Sequence, residues 1–287
     1  MAIASHLFDR RRLTRRLRLY WERTRPIRRP DYTPGTPEVS LHWPMDMYRP
    51  PTALTLAHAA LSEEAARSVA AVLERLTPCQ DLTLKQMLYQ WAQDTFRGHW
   101  RYADLFTTLW AATLIRPASY LEIGVRRGWS AAVVGAAAPQ CAIYGFDLWP
   151  PEYDGIANPG PGFVTAELAA AGHEGAVTLV SGDSHETIPD FLRRHPELYF
   201  DLITVDGDKT VRGVSSDLAN VLPRLKVGGI VVCDDLAMVP TLRRVWEKLI
   251  ERDGRYVHWE FRDAGSGVAA AIRVCDVAPV SFAEGLL

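Results

Sequence analysis

Nothing in this 287-residue chain approaches the run of about 18 uncharged apolar residues that a membrane-spanning helix needs. No apolar segment follows the basic start of the chain, so a cleaved signal peptide is not expected. The four cysteines, Cys79, Cys141, Cys233 and Cys275, form no CxxC pair and do not cluster with histidine. That scatter argues against a metal or redox centre built on sulfur and fits reduced thiols in a cytoplasmic protein. GxGxxG is absent, which excludes a good dinucleotide fingerprint, and no GK[ST] completes a Walker loop. Internal repeats and low-complexity tracts are also missing.

What is present is enough apolar material for a large core, with 48% hydrophobic residues. The formal net charge of −2 conceals an asymmetry. Ten arginines against Asp9 and Glu22 give the first 30 residues a surplus of +8, so the rest carries −10. The segment RRRLTRRLRLYWERTRPIRR can form a helix with Leu13, Leu17, Tyr20 and Trp21 along one side. Such an arm suits docking on the acidic body of its own or a partner subunit, an anionic membrane surface, or nucleic acid. The acidic body disfavours nucleic acid, and a homodimer that covers the arm is the expected assembly.

Three sections follow from composition and periodicity. Residues 1–54 are a basic arm and a proline-rich lead-in, and residues 55–116 a helical, aromatic-rich section. There Ser62 caps a helix whose apolar face is Ala66, Val69, Ala70, Val72, Leu73 and Leu76. Residues 117–287 are the core. Short β-branched runs at 119–124, 142–147, 177–183, 200–206 and 229–235 alternate with helical segments at 129–138, 164–172, 184–194, 211–224 and 240–252. Apolar strands separated by helices predict an α/β, mostly parallel sheet covered on both faces. YVHWEF and GVAAAIRV, joined by RDAGS, predict an antiparallel hairpin at one edge. The stretch LWPPEYDGIANPGPG after Asp147 predicts about 15 irregular residues beside the strand ends, a candidate lid.

Polar residues gather where these strands stop. YLEIGVRRGWS places Glu122, Gly124, Gly128 and Ser130 at a strand-to-helix junction. Gly124 allows a sharp turn, Gly128 a close backbone approach, and the first helical amides can hold a carboxylate. Asp147 ends the second strand, where a carboxylate can accept both ribose hydroxyls. Asp183 and Ser184 end the third, near an adenine edge or as a helix cap. An amino acid, a ribose and an adenine in that order make residues 117–274 resemble the class I, Rossmann-like methyltransferases that use S-adenosylmethionine. The resemblance implies that the LEIGVRRG loop wraps the methionine part of the cofactor, that Asp147 binds the ribose, and that Asp183 and Ser184 lie near the adenine. Trp149 is a candidate for stacking on the ring.

The fourth and fifth strands end in VDGDK and VVCDD. In a parallel sheet Asp206, Asp234 and Asp235 share one edge, on strands about 4.8 Å apart, and would repel unless neutralised. A hard divalent cation with oxygen ligands removes that cost, and Mg²⁺ is the default. Asp206, Lys209 and Asp234 resemble metal-dependent catechol-type and caffeoyl-coenzyme-A-type O-methyltransferases, in which an Asn usually stands where Asp235 is. DGD and the Asp-Asp ending resemble macrocin-type sugar O-methyltransferases and the cephalosporin-hydroxylase-like group of natural-product tailoring enzymes, from which Lys209 departs.

These resemblances imply a small-molecule O-methyltransferase acting on a natural-product, sugar or phenolic hydroxyl. The metal at Asp206, Asp234 and Asp235 would make the hydroxyl more acidic, and Lys209 would take its proton or else pair with Asp208 or Glu152. His185 lies on the same edge; His99 and His258 are less constrained. Tyr89, Trp91, Phe96, Trp100 and Tyr102 either cover the acceptor or serve helix packing. Two alternatives stand beside this: a tailoring enzyme of the same fold that does not transfer methyl groups, and an RNA-binding protein or RNA methyltransferase guided by the basic arm.

Overall fold

The computed structural model describes residue 27 and residues 30–32, 35–39, 51–96, 102–153, 156–262 and 265–277. The expected arm helix, His99 and Trp100 lie outside the described residues. No described helix is long and apolar enough to cross a membrane.

A seven-stranded sheet organises the chain. β1 (Ser119–Ile123), β2 (Ala142–Asp147), β5 (Val177–Ser181), β6 (Phe200–Val205) and β7 (Leu225–Asp234) are parallel, and β8 (Tyr256–Phe261) and β9 (Val268–Arg273) close one side. The order is β5-β2-β1-β6-β7-β9-β8, with β9 antiparallel to both β7 and β8. The expected hairpin is therefore present, and its second strand is the inner one.

Strict alternation along the central strands gives the sheet two apolar faces. Tyr120, Leu202, Ile230, Val232 and Ala270 face one layer, built from helices Ala53–Ala60, Glu63–Leu73, Gln80–Thr95, Leu105–Ala112, Trp129–Ala137 and Pro161–Ala170. Leu121, Ile123, Ile203, Val205, Val231 and Cys233 face the other, built from Ser184–Arg194, Val211–Val221 and Pro240–Trp246. Cys141 and Cys233 are buried free thiols, as expected of reduced core cysteines. Ser62 does cap its helix, accepting from the Ala65 amide at 3.0 Å.

Two local expectations change. The segment after Asp147 is not wholly irregular: β3 (Glu152–Tyr153) and β4 (Ile156–Ala157) pair as a short antiparallel ribbon, and the next helix begins at Pro161, whose fixed φ suits a first turn. The fifth strand, expected at 229–235, begins earlier and takes in Gly228 and Gly229. β7 starts at Leu225, the β6 pairing shifts register between Phe200 and Leu202, and Gly228 takes φ +84°. That irregularity is held by the lead-in. The Val39 amide donates to the Val227 carbonyl at 2.8 Å, and the Val227 amide to the Pro37 carbonyl at 3.0 Å.

The end of the sheet away from the carboxylates is pinned by Asp201, 2% exposed. Its Oδ2 accepts from the Ala118 and Ser119 amides at 3.0 and 2.9 Å and from Ser119 Oγ at 2.9 Å. Lys226 Nζ reaches both carboxylate oxygens, at 2.9 and 3.1 Å. One side chain thus ties the starts of β1, β6 and β7. Asp201→Ala strands a largely buried ammonium and two amides, so we expect a loss of about 3–5 kcal/mol. Urea unfolding should show a lower midpoint at unchanged slope; a shift within about 0.5 kcal/mol would show that this clamp contributes little.

Candidate active site at the carboxyl edge of the sheet

β1 ends by turning through Gly124 at φ +88°, a conformation that favours glycine. A Cβ there would sit 2.4 Å from the Asp206 carbonyl oxygen, so the β1 loop and the DGD loop touch backbone to backbone. Gly128 has another reason for being glycine. Its φ is +78°, and a Cβ would meet Val164 at 2.7 Å; the close approach is to a neighbouring helix rather than to a ligand. Asp147 fixes the loop between them, accepting from the Arg126 amide at 2.7 Å and the Trp149 amide at 2.6 Å.

Two cavities meet at this edge. The larger, about 670 Å³, is lined by Gly124, Asp147, Asp183, Ser184, His185, Asp206, Asp208, Lys209, Asp234 and Asp235, among others. It brings together most of the residues expected to hold the cofactor. The smaller, about 230 Å³, is lined by Lys85, Tyr102, Asp104, Phe106, Arg127, Trp129 and Ser130. Gly124, Arg126, Asp206 and Asp234 belong to both walls, so the spaces adjoin at the acidic cluster.

The remaining expected residues divide. Glu122 lines neither cavity: it is fully buried, accepts a short hydrogen bond from Ser130 Oγ, and leaves Oε2 without a partner. Burial pushes its carboxyl up to about 8 against the pull of Ser130. Asp183 caps helix Ser184–Arg194 through the His185 amide at 2.9 Å while still lining the cavity. Trp149 does not face the cavity; its Nε1 donates to the Arg126 carbonyl at 3.0 Å, and Tyr153, over the Arg126 guanidinium at 4.9 Å, lines the wall. Sequence reasoning missed Asp217. Fully buried, it accepts from Ser184 Oγ at 2.8 Å and lies 3.6 Å from His185 Nε2, and burial pushes its carboxyl up to about 6. Mid-helix, it looks like a solvated charge, and only the helical spacing of Val211, Val214, Leu218 and Val221 around it hints at burial.

Asp206, Asp234 and Asp235 do converge: one carboxylate oxygen from each lies within 4.8 Å of the others. Asp235 takes φ +65°, a left-handed conformation that Asp tolerates better than most side chains. Burial and the two neighbouring carboxylates push Asp234 up to about 7, and Ser266 Oγ donates to its Oδ1 at 3.1 Å. Lys209 pairs with neither Asp208 nor Glu152. Its Nζ lies between Asp206, in a short contact, and Asp235 Oδ2 at 2.9 Å. Despite burial, these two carboxylates hold the amine well above its ordinary range, as an ammonium. Asp208 instead accepts from the Thr210 amide at 2.8 Å and Thr210 Oγ1 at 3.0 Å. Three close carboxyls with one ammonium retain excess negative charge, and all-oxygen donors fit a hard divalent cation.

Glu122 yields a sign-defined pH effect. Its folded value, about 8, exceeds the ordinary 4.5, so its contribution to stability is full below about pH 4.5 and is lost as pH rises through about 8. Relative to Glu122→Gln, the ligand-free protein should lose about 1.4 kcal/mol per pH unit inside that window. Chemical unfolding of both proteins at pH 5 and pH 8 measures it, and parallel pH profiles would show that Glu122 is already ionised at neutral pH.

Comparison with known proteins agrees with this architecture. Residues 121–236 match a family described as a methyltransferase domain. The O-methyltransferase TomG from Streptomyces achromogenes, involved in tomaymycin synthesis and solved with S-adenosylmethionine, is 18% identical. The match covers 78% of this chain and 96% of TomG at a TM-score of 0.50. The calicheamicin methyltransferase CalS11 is 20% identical over 73% of this chain and 91% of its own, with a TM-score of 0.48. An O-methyltransferase from Bacillus cereus is 16% identical over 76% and 99%, at 0.47. No curated protein matches the sequence. Residues 121–236 therefore match a methyltransferase domain, and the chain shares the fold of TomG, an O-methyltransferase solved with S-adenosylmethionine.

Proposed function

We propose that the protein methylates a hydroxyl oxygen of a small molecule, a natural product, sugar or phenol, with the help of a divalent cation, Mg²⁺ by default. The observation that carries this reading is the convergence of Asp206, Asp234 and Asp235 where the two cavities share a wall. When bound, S-adenosylmethionine supplies a methyl group on a cationic sulfur that departs as a neutral thioether, and the divalent cation supplies Lewis acidity to a hydroxyl.

The chain's own residues do the rest. The loop from Gly124 to Ser130, with Asp147, Asp183 and Ser184, binds and orients the donor along the larger cavity. Asp206, Asp234 and Asp235 hold the cation, and the walls of the smaller cavity hold the acceptor against them. Lys209 carries the proton question. Its Nζ is an ammonium because Asp206 and Asp235 stabilise the charge. Were Asp206 and Asp235 engaged in holding a cation, Lys209 would lose that stabilisation, and its partial burial would favour the neutral amine, able to accept the hydroxyl proton at Nζ.

Isothermal titration of S-adenosylhomocysteine and turnover assays on phenolic and sugar hydroxyls test the reading. Asp234→Asn should reduce turnover by about a hundredfold or more. Its affinity for S-adenosylhomocysteine should stay within about threefold, and the Mg²⁺ dependence of the residual rate should disappear. Folded wild-type protein that binds no S-adenosylhomocysteine would defeat the proposal. Lys209→Met should lower turnover by about 10²–10⁴-fold and remove the ascending limb of the pH–rate profile. An unchanged rate and profile would leave Lys209 a charge-balancing residue only.

A further inference from the structure

Three cations line the smaller cavity, and two of them are paired. Lys85 Nζ lies 3.4 Å from Asp104, and Arg126 Nη2 lies 2.9 Å from Asp81. Arg127 differs. It is only 9% exposed, yet no carboxylate pairs with it among the described residues. Its Nη1 donates to the Ala157 carbonyl at 3.0 Å, its guanidinium lies 4.6 Å from the Phe163 ring centre, and its buried Nε has no acceptor. A carbonyl and a ring face leave this buried guanidinium without a counter-ion, so an anion close by would be favoured there.

The walls of the same cavity narrow the identity of that anion. Ser130 and the Gly124 turn stand on one side and Asp206 and Asp234 on the other. The volume, about 230 Å³, admits a single small group. The remaining lining is apolar and aromatic, including Leu88, Tyr102, Leu105, Phe106 and Trp129. We infer that Arg127 is a binding residue that reads a carboxylate of the small molecule bound in this cavity. The inference rests on the proposed methyl-transfer reading, because that reading places donor and acceptor on either side of the shared wall. A carboxylate reaches this position from either of two sources: the amino-acid tail of the donor or an acid group on the acceptor. The planar guanidinium fork suits a carboxylate from both.

Calorimetric titration of wild type, Arg127→Gln and Arg127→Lys separates the possibilities without relying on turnover. The donor pair is S-adenosylhomocysteine against 5′-methylthioadenosine, which shares the adenosine thioether but lacks the amino-acid tail. The acceptor pair is 3,4-dihydroxybenzoate against catechol, measured with Mg²⁺ and S-adenosylhomocysteine present. Arg127→Gln should weaken the acid-bearing member of one pair by about tenfold or more while leaving its acid-free counterpart within about twofold. Arg127→Lys should restore part of the loss. A selective loss for S-adenosylhomocysteine assigns the donor tail, and a selective loss for dihydroxybenzoate assigns an acidic acceptor.

Unchanged ratios in both pairs overturn the inference. So does equal weakening of all ligands together with a fall in melting temperature, which would make Arg127 a staple between its loop and the β3–β4 ribbon. Wild-type protein that binds 5′-methylthioadenosine and S-adenosylhomocysteine equally, with no change for either nucleoside or for dihydroxybenzoate in Arg127→Gln, removes the carboxylate subsite and leaves the methyltransferase reading standing. Failure to bind either nucleoside removes both.

Discussion

Like charges brought to one place must be neutralised, and the sheet of this protein brings them there by its topology. Parallel strands share an edge at their carboxyl ends, so residues just past β6 and β7 meet without any specific attraction between them. Asp206, Asp234 and Asp235 are the result. In the structure the ammonium of Lys209 answers two of the three, and Ser266 donates to the third. One positive charge against three carboxyls is incomplete, and burial together with the unsatisfied remainder raises the proton affinity, with Asp234 pushed up to about 7. The pocket walls, the loop at Gly124 and the left-handed turn at Asp235 all take their positions around this cluster.

Backbone contacts decide how close the neighbouring loops come. Gly124 and Asp206 approach so closely that any side chain at 124 would collide with a carbonyl. The donor-side loop and the acidic loop therefore form one rigid rim. Asp147 continues that rim by accepting two backbone amides, at Arg126 and Trp149. Its carboxylate thus has a structural task of its own, and because each oxygen carries more than one lone pair it keeps acceptor capacity for a further donor. Ser184 shows the same economy, donating to buried Asp217 from a position on the cavity wall.

Much of this was legible in the sequence because strand ends carry a strong signal. A run such as FDLITV can only be a doubly buried strand, and the polar residues after it must lie at the sheet edge. Five such runs placed the core strands, the edge and the three converging carboxylates. The partners of Lys209 were only partly legible: Asp208 or Glu152 was the expected pairing, while the actual partners are Asp206, three residues back, and Asp235, whose position depends on how two strands pair in space. Gly128 was read as an opening for a ligand, but glycine there makes room for Val164, a contact 36 positions away that no local pattern encodes. Trp149 and Tyr153 exchanged roles for a similar reason, since the positive φ of Trp149, +40°, turns its ring back onto the loop.

The acceptor side was least legible, and its construction shows why. Its wall comes from helices Gln80–Thr95 and Leu105–Ala112, whose apolar residues have to pack on the sheet whatever else they do. Asp104 illustrates the consequence. It takes hydrogen bonds from Tyr89 and Tyr102 hydroxyls at 2.7 and 3.1 Å and from the Phe106 and Thr107 amides at 3.0 and 3.1 Å. With these four donors and the Lys85 ammonium at 3.4 Å it is a cap and a brace, and it fixes Tyr102 against the cavity. If the smaller cavity takes the acceptor as proposed, selectivity there follows from the rigid positioning of a few side chains in a helical layer, and a substitution that preserved every motif at the strand ends would change it simply by shifting that brace.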